Sequence, residues 1–218
     1  MPDIQISDRL LNFITFLPFF FLSIAVHEYS HALFAHILGD DTAKNSGRLT
    51  LNPLKHPDLI GSVIMPFAAF ASGFALIGWA RPVPVNRNNF SKPLRDDAVV
   101  SFAGPFSNLL LSSLLFILFL MFGIGNSFVG DLLWYGVFLN VFLFAFNLQP
   151  IPPLDGSHIL FNLFPNKLTA KYLNIGLYGS LLLLVFIYSP LWGIFMKIIN
   201  FILGLFMKIG GQDLLFPV

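Results

Sequence analysis

Val26-His27-Glu28-Tyr29-Ser30-His31-Ala32 sets an ionisable cluster inside an apolar run that extends over residues 10–38. Ionisable side chains in such a run are costly unless a function retains them. On an α-helix His27 and His31 stand one turn apart on the same face, so both imidazoles can hold one metal ion. Glu28 sits beside them, where a carboxylate can take a proton from a water at that ion. This is the HExxH spacing of zinc hydrolases. Glu28 is also the only glutamate among the 218 residues, and the chain has just five histidines, so chance placement at this spacing is improbable. The bland alternative is a pair of core histidines that only hydrogen-bond.

Working outward, the composition fits a bilayer. The chain is 56% hydrophobic and 11% charged, with a mean hydropathy of +0.78 and 27 phenylalanines. That is far from the balance of a soluble domain. Several apolar runs approach the ~20 residues that a membrane helix needs. The length suits one helical bundle, a single integral-membrane domain over residues 1–218, without an added soluble domain. The formal net charge of +1 offers no basic field, so nucleic-acid binding is not supported. With no cysteine in the chain, disulfides and thiolate ligands are excluded, and a metal must be held by His, Asp or Glu. The first apolar run lacks a basic leader and carries the chemistry itself, which argues against a removable signal peptide.

Along the chain, residues 10–38 read as a first membrane helix stopped by Gly39-Asp40-Asp41. The metal pair would then lie roughly 10 Å below the surface at the helix's C-terminal end. Residues 40–58 are polar, and Gly47-Arg48-Leu49-Thr50-Leu51-Asn52 alternates like a short strand. Residues 60–80 are apolar but broken by Gly61, Pro66, Gly73 and Gly78. Spans are expected at 98–122, 132–148 and 172–188, with 191–207 a last span or, given Lys197, an interfacial helix. The loop 123–131 separates the first two. Lys44, Arg48, Lys55, Arg81, Arg87, Lys92, Arg95, Lys167 and Lys171 fall in connections assigned to one side, against Arg9 at the other, so the positive-inside rule makes the former cytoplasmic. Full spanning by 60–80 would put Asp155 on the wrong face relative to His27. That segment is therefore expected to be re-entrant, giving an all-α bundle of about five or six passes.

A catalytic zinc needs a third protein ligand and an open position. His36 is nine residues from His27 and faces away. His56 and Asp58 fit a turn and a cap. Asp155 follows a helix ended by Pro150, Pro152 and Pro153, with Gly156 beside it, so irregular backbone presents a carboxylate at membrane depth. From spacing alone it could equally cap the helix expected from Ser157. His158 is the reserve ligand. Asn108 and Asn147 sit in apolar helices, where the plain reading is interhelical hydrogen bonding. Asn108 could instead donate to an oxyanion, and Asn147 could hold a substrate backbone or the Asp155 loop.

Three motifs occur in order: His27-Glu28-x-x-His31, Gly104-Pro105-x-x-Asn108, and Asn147-x-x-Pro150-x-Pro152-Pro153-Leu154-Asp155-Gly156. Together they resemble the site-2 protease family of intramembrane zinc metalloproteases, in its compact prokaryotic branch, over residues 25–159; the C-terminal helices, 172–208, lie beyond. The resemblance implies that His27, His31 and Asp155 bind zinc, that Glu28 is the general base, and that Asn108 and Asn147 serve the site. It implies regulated intramembrane proteolysis: cleavage in the transmembrane helix of another protein, in a prokaryotic cytoplasmic membrane. A substrate helix must unwind locally, and the strand-like 47–52 could pair with the extended stretch. No loop is long enough to hold the PDZ or CBS module of many relatives. The rival readings are a metal or solute transporter, for which no internal repeat is found, and an inactive binding module, which would be expected to lose Glu28 first.

Overall fold

A computed structural model gives the structure of residues 3–56, 58, 61, 82–124 and 127–211, with side chains of the first helix described from Leu17 onward. Its helices are α1 (Asp3–Ile37), α2 (Thr42–Asn45), α3 (Pro93–Leu118), α4 (Ser127–Asn147), α5 (Asp155–Leu163), α6 (Lys167–Leu173), α7 (Leu177–Tyr188) and α8 (Pro190–Ile209), with 3-10 turns at Pro53–Lys55 and Arg87–Asn89. Among the described residues there is no strand. The fold is the expected all-α membrane bundle.

The 35 residues of α1 reach about 52 Å, well beyond a ~30 Å hydrocarbon core. Gly39, at φ +106°, ends it. Pro93 and Pro190 occupy the first turns of α3 and α8, where a missing N–H costs nothing. Three described helical segments are long and apolar enough to cross a membrane: Pro93–Gly123, Phe128–Asn147 and Pro190–Ile209. In α8 the buried residues are Phe195, Ile199, Leu203 and Met207, a stripe repeating every fourth position. This stripe packs on Phe116 and Phe119 of the α3 segment, Val137 and Val141 of α4, and Phe186 of α7. The opposite face, with Ile194, Ile198, Phe201 and Leu205, is exposed, as a lipid-facing surface would be.

Four expectations change. Residues 172–188 are not one straight span: the chain breaks at Asn174–Gly176, and α6 and α7 meet at 83°. The 12 residues of α7 cover about 18 Å, too short to cross alone. The strand-like 47–52 is an irregular loop, because the N–H groups of Arg48, Thr50 and Asn52 are satisfied locally, by Ala43 O of α2, Arg48 O and Thr50 Oγ1. The expected loop 123–131 is mostly helical: α3 runs on as a π-turn through Gly123, and α4 begins at Ser127. The helix expected from Ser157 starts instead at Asp155.

The path of 60–80 lies outside the described residues apart from Gly61, whose N–H donates to Asp58 at 2.8 Å. The flanks of that stretch meet. Asp40, just past α1, accepts the Asn86 N–H at 2.7 Å and the Asn89 side-chain amide at 2.7 Å. The two polar connections therefore lie together at the C-terminal end of α1.

Candidate metal centre

Helix α1 supplies both imidazoles, and α3 packs along it and orients them. The Nδ1 of His31 meets the Val100 carbonyl at 2.7 Å, and the Nδ1 of His27 meets Asn108 Oδ1 at 2.7 Å. The Asn108 orientation is fixed by its amide group, which donates to Ser23 O at 3.2 Å and to Asn140 Oδ1 at 2.9 Å. Asn140 in turn donates to Gly136 O at 2.9 Å. Both acceptors place the histidine protons on Nδ1, so each Nε2 presents a lone pair. Val100, Gly104 and Asn108 fall on one stripe of α3, each four residues from the next.

Gly104 allows the close approach. A Cβ there would lie 2.3 Å from His31 Nε2 and 2.8 Å from His27 Cε1.

The third group arrives on the proline turn. Leu154, not Asp155, is the N-cap of α5, and it makes no side-chain cap bond. The Asp155 carboxylate turns inward instead: its Oδ2 lies 3.2 Å from His27 Nε2 and 3.4 Å from His31 Nε2. The turn is locked from two sides. Tyr172 donates to Pro150 O at 2.8 Å, and Gly156 lies so close to the Leu148 and Gln149 carbonyls that a Cβ would sit 2.3 Å and 2.4 Å from them.

The donor set fits a cation. The two Nε2 atoms are 3.0 Å apart, and Asp155 Oδ2 is buried without a hydrogen-bond partner. Two lone pairs and a carboxylate oxygen converging in this way repel one another unless a positive charge lies between them. His27, His31 and Asp155 each offer a ligand atom within 4.8 Å of the others, and among the described residues no other such group occurs. Zinc bond lengths of about 2.0–2.2 Å in a tetrahedron set ligand atoms roughly 3.4 Å apart, close to the spacings seen. Glu28, mostly buried, accepts the Val83 N–H at Oε2, 3.0 Å away.

The remaining candidates lie elsewhere. His36 pairs with Asp41 at 2.5 Å, and buried His56 donates to Thr50 O at 2.7 Å within its own loop. His158, the reserve, lies beside Arg87 and Asp97 rather than at the cluster. Asn108 makes the interhelical hydrogen bonds of its plain reading, with its amide hydrogens on Ser23 O and Asn140 Oδ1 and its Oδ1 behind His27. Asn147 donates to Leu143 O at 3.0 Å, in its own helix. Sequence reasoning missed Val100, whose contribution is a backbone carbonyl that any residue has. It also gave Gly104 no steric task, although a glycine four residues before Asn108 on the same face was a usable signal.

Residues 124–187, which include Asn147 and Asp155, match the profile of Peptidase family M50. The chain is 42% identical over 180 residues to YwhC of Bacillus subtilis, a protein named as a zinc metalloprotease, covering 78% of each chain. It is 34% identical over 143 residues to Rip2 of Mycolicibacterium smegmatis, likewise so named, covering 62% of this chain and 51% of Rip2, so it spans about half the length of that relative. MJ0611 of Methanocaldococcus jannaschii, also named as a zinc metalloprotease, is 40% identical over 68 residues, covering 30% of this chain and 34% of its own. No solved structure matches. Because the similarity to YwhC runs through most of both chains, and the family profile covers the turn that delivers Asp155, the chain belongs to Peptidase family M50.

Proposed function

We propose that this M50 peptidase is a zinc-dependent intramembrane endopeptidase that cuts within or near the transmembrane helix of another membrane protein. The observation that carries the reading is the convergence of His27 Nε2, His31 Nε2 and Asp155 Oδ2, with the Glu28 carboxylate next along the same helix. Zinc fits the thiolate-free donor set and is the metal in the relatives' names. When bound, zinc supplies a Lewis acid that polarises a carbonyl and acidifies a water.

The chain's own residues do the rest. His27, His31 and Asp155 hold the ion, and Val100 and Asn108 fix the ring orientation of the histidines by accepting their Nδ1 protons. Glu28 takes the proton of the attacking water and returns it to the leaving amine. Because a substrate helix hides its carbonyls in hydrogen bonds, it must unwind locally before cleavage. The lysine and arginine distribution supports a cytoplasmic C-terminal end of α1 with the site near it, and the bacterial and archaeal relatives support a prokaryotic membrane.

The test is Glu28→Gln, which keeps shape and hydrogen bonding but removes the base. Purified protein should retain wild-type zinc content while turnover of a membrane-spanning substrate falls by about 10²–10⁴. Wild-type cleavage by the glutamine variant would overturn the mechanism. A transporter would show no cleavage in either protein.

A further inference from the structure

The Glu28 contact with Val83 joins residues 55 positions apart, so it exists only if the segment around Val83 is held against α1. That segment, Pro82-Val83-Pro84-Val85-Asn86, is irregular backbone without helix or strand. Its two prolines have no N–H, so between residues 82 and 85 only Val83 and Val85 can donate from the backbone. Val83 uses its single N–H on Glu28 Oε2, which fixes one carboxylate oxygen and leaves the other to receive a proton.

Three residues further on, the segment is fastened by Asp40. This carboxylate is fully buried and accepts four hydrogen bonds: Asn86 N–H at 2.7 Å on Oδ2, then Asn89 Nδ2 at 2.7 Å, Thr42 N–H at 3.1 Å and Thr42 Oγ1 at 2.5 Å on Oδ1. One side chain thus ties the end of α1, the start of α2 and the segment that touches the base. The same end of the segment is fastened again by the next residue, Arg87, which donates to Asp97 of α3 and lies over the Phe161 ring of α5, 5.0 Å from its centroid. An asparagine at position 40 would not do the same work, since its NH₂ would oppose the donors now bonded to one of the two oxygens.

We infer that Asp40 is a positioning residue for the catalytic base: it holds residues 82–86 so that the Val83 N–H orients the Glu28 carboxylate. This rests on the reading of Glu28 as general base. It makes no demand on the metal ligands, which are carried by α1 and α5.

The test compares purified wild type, Asp40→Ala, Asn89→Ala and Glu28→Gln, with zinc content, kcat and KM on a membrane-spanning substrate, and backbone hydrogen exchange. Asp40→Ala should keep wild-type zinc and KM, lose about tenfold or more in kcat, and exchange faster in peptides covering residues 82–89 but not in those from α1 or α5. Asn89→Ala removes one of the four donors from an exposed side chain and should give the same pattern at smaller size, which decides the matter if Asp40→Ala does not fold. Wild-type kcat, or a loss of zinc in step with activity, in the folded variant overturns the inference. A fully active Glu28→Gln removes the base and this inference together; an inactive Glu28→Gln beside a fully active Asp40→Ala removes this inference alone.

Discussion

Gly104→Ala is the sharpest probe of the histidine geometry, because its methyl would meet the rings of both histidines. The new Cβ would stand 2.3 Å from His31 Nε2, 2.5 Å from His31 Cε1 and 2.8 Å from His27 Cε1. Ordinary carbon contacts begin near 3.5 Å, so the His31 ring must retreat by roughly 1 Å. It has little freedom to do so, since its Nδ1 is bonded to Val100 O at 2.7 Å on the same helix that gains the methyl. Metal sites hold ligand distances within about ±0.2 Å, and losing one supporting contact typically costs about 10–100-fold in affinity. A displacement of this size should cost at least that, about 1.4–2.7 kcal/mol or more. Alanine is meanwhile the better helix former, by about 1 kcal/mol in a helix interior, which offsets part of the about 1–3 kcal/mol that the overpacking costs. Chelator competition on purified protein, read beside its thermal unfolding, is the assay. Zinc held at wild-type affinity by a folded Gly104→Ala protein would refute the placement of α3 against the histidine pair.

The remaining expectations are simpler. Asp155→Ala removes the carboxylate from the three-residue ligand group seen among the described residues, so zinc content after purification should fall well below wild type; full occupancy would mean that another group is the third ligand. Asn108→Ala deprives His27 of its Nδ1 acceptor and should weaken zinc by about 10–100-fold, measured by the same competition, while Glu28-dependent chemistry on the metal-saturated protein persists in part. Asp40 should also report on pH. Burial works to raise its pKa, but the hydrogen bonds from Thr42, Asn86 and Asn89 outweigh it and hold the group below the ordinary carboxylate value. A lowered folded pKa contributes stability that is complete above the unfolded value, near 3.9, and is lost as pH falls through the folded one. Acid unfolding of the wild type should steepen in that range, and a folded Asp40→Asn variant should lack the component.

Much of the outline was legible in one dimension. The apolar runs and the lack of cysteine determined a helical bundle in lipid with only His, Asp or Glu as ligands, because solvation and ligand chemistry depend on composition. His27, Glu28 and His31 could be read directly, since a helix converts a four-residue spacing into shared direction. Asp155 was ambiguous between cap and ligand until the turn was folded: whether a carboxylate faces its own helix end or another helix is set by the chain around it, here by Tyr172 on Pro150 and the tight seat of Gly156. The break of 172–188 into α6 and α7, the Val100 carbonyl and the Val83 N–H were decided by tertiary structure alone. Backbone groups are the same in every residue, so their use at a site leaves no mark in the sequence, and only the packing of α3 and residues 82–90 on α1 gives them their tasks.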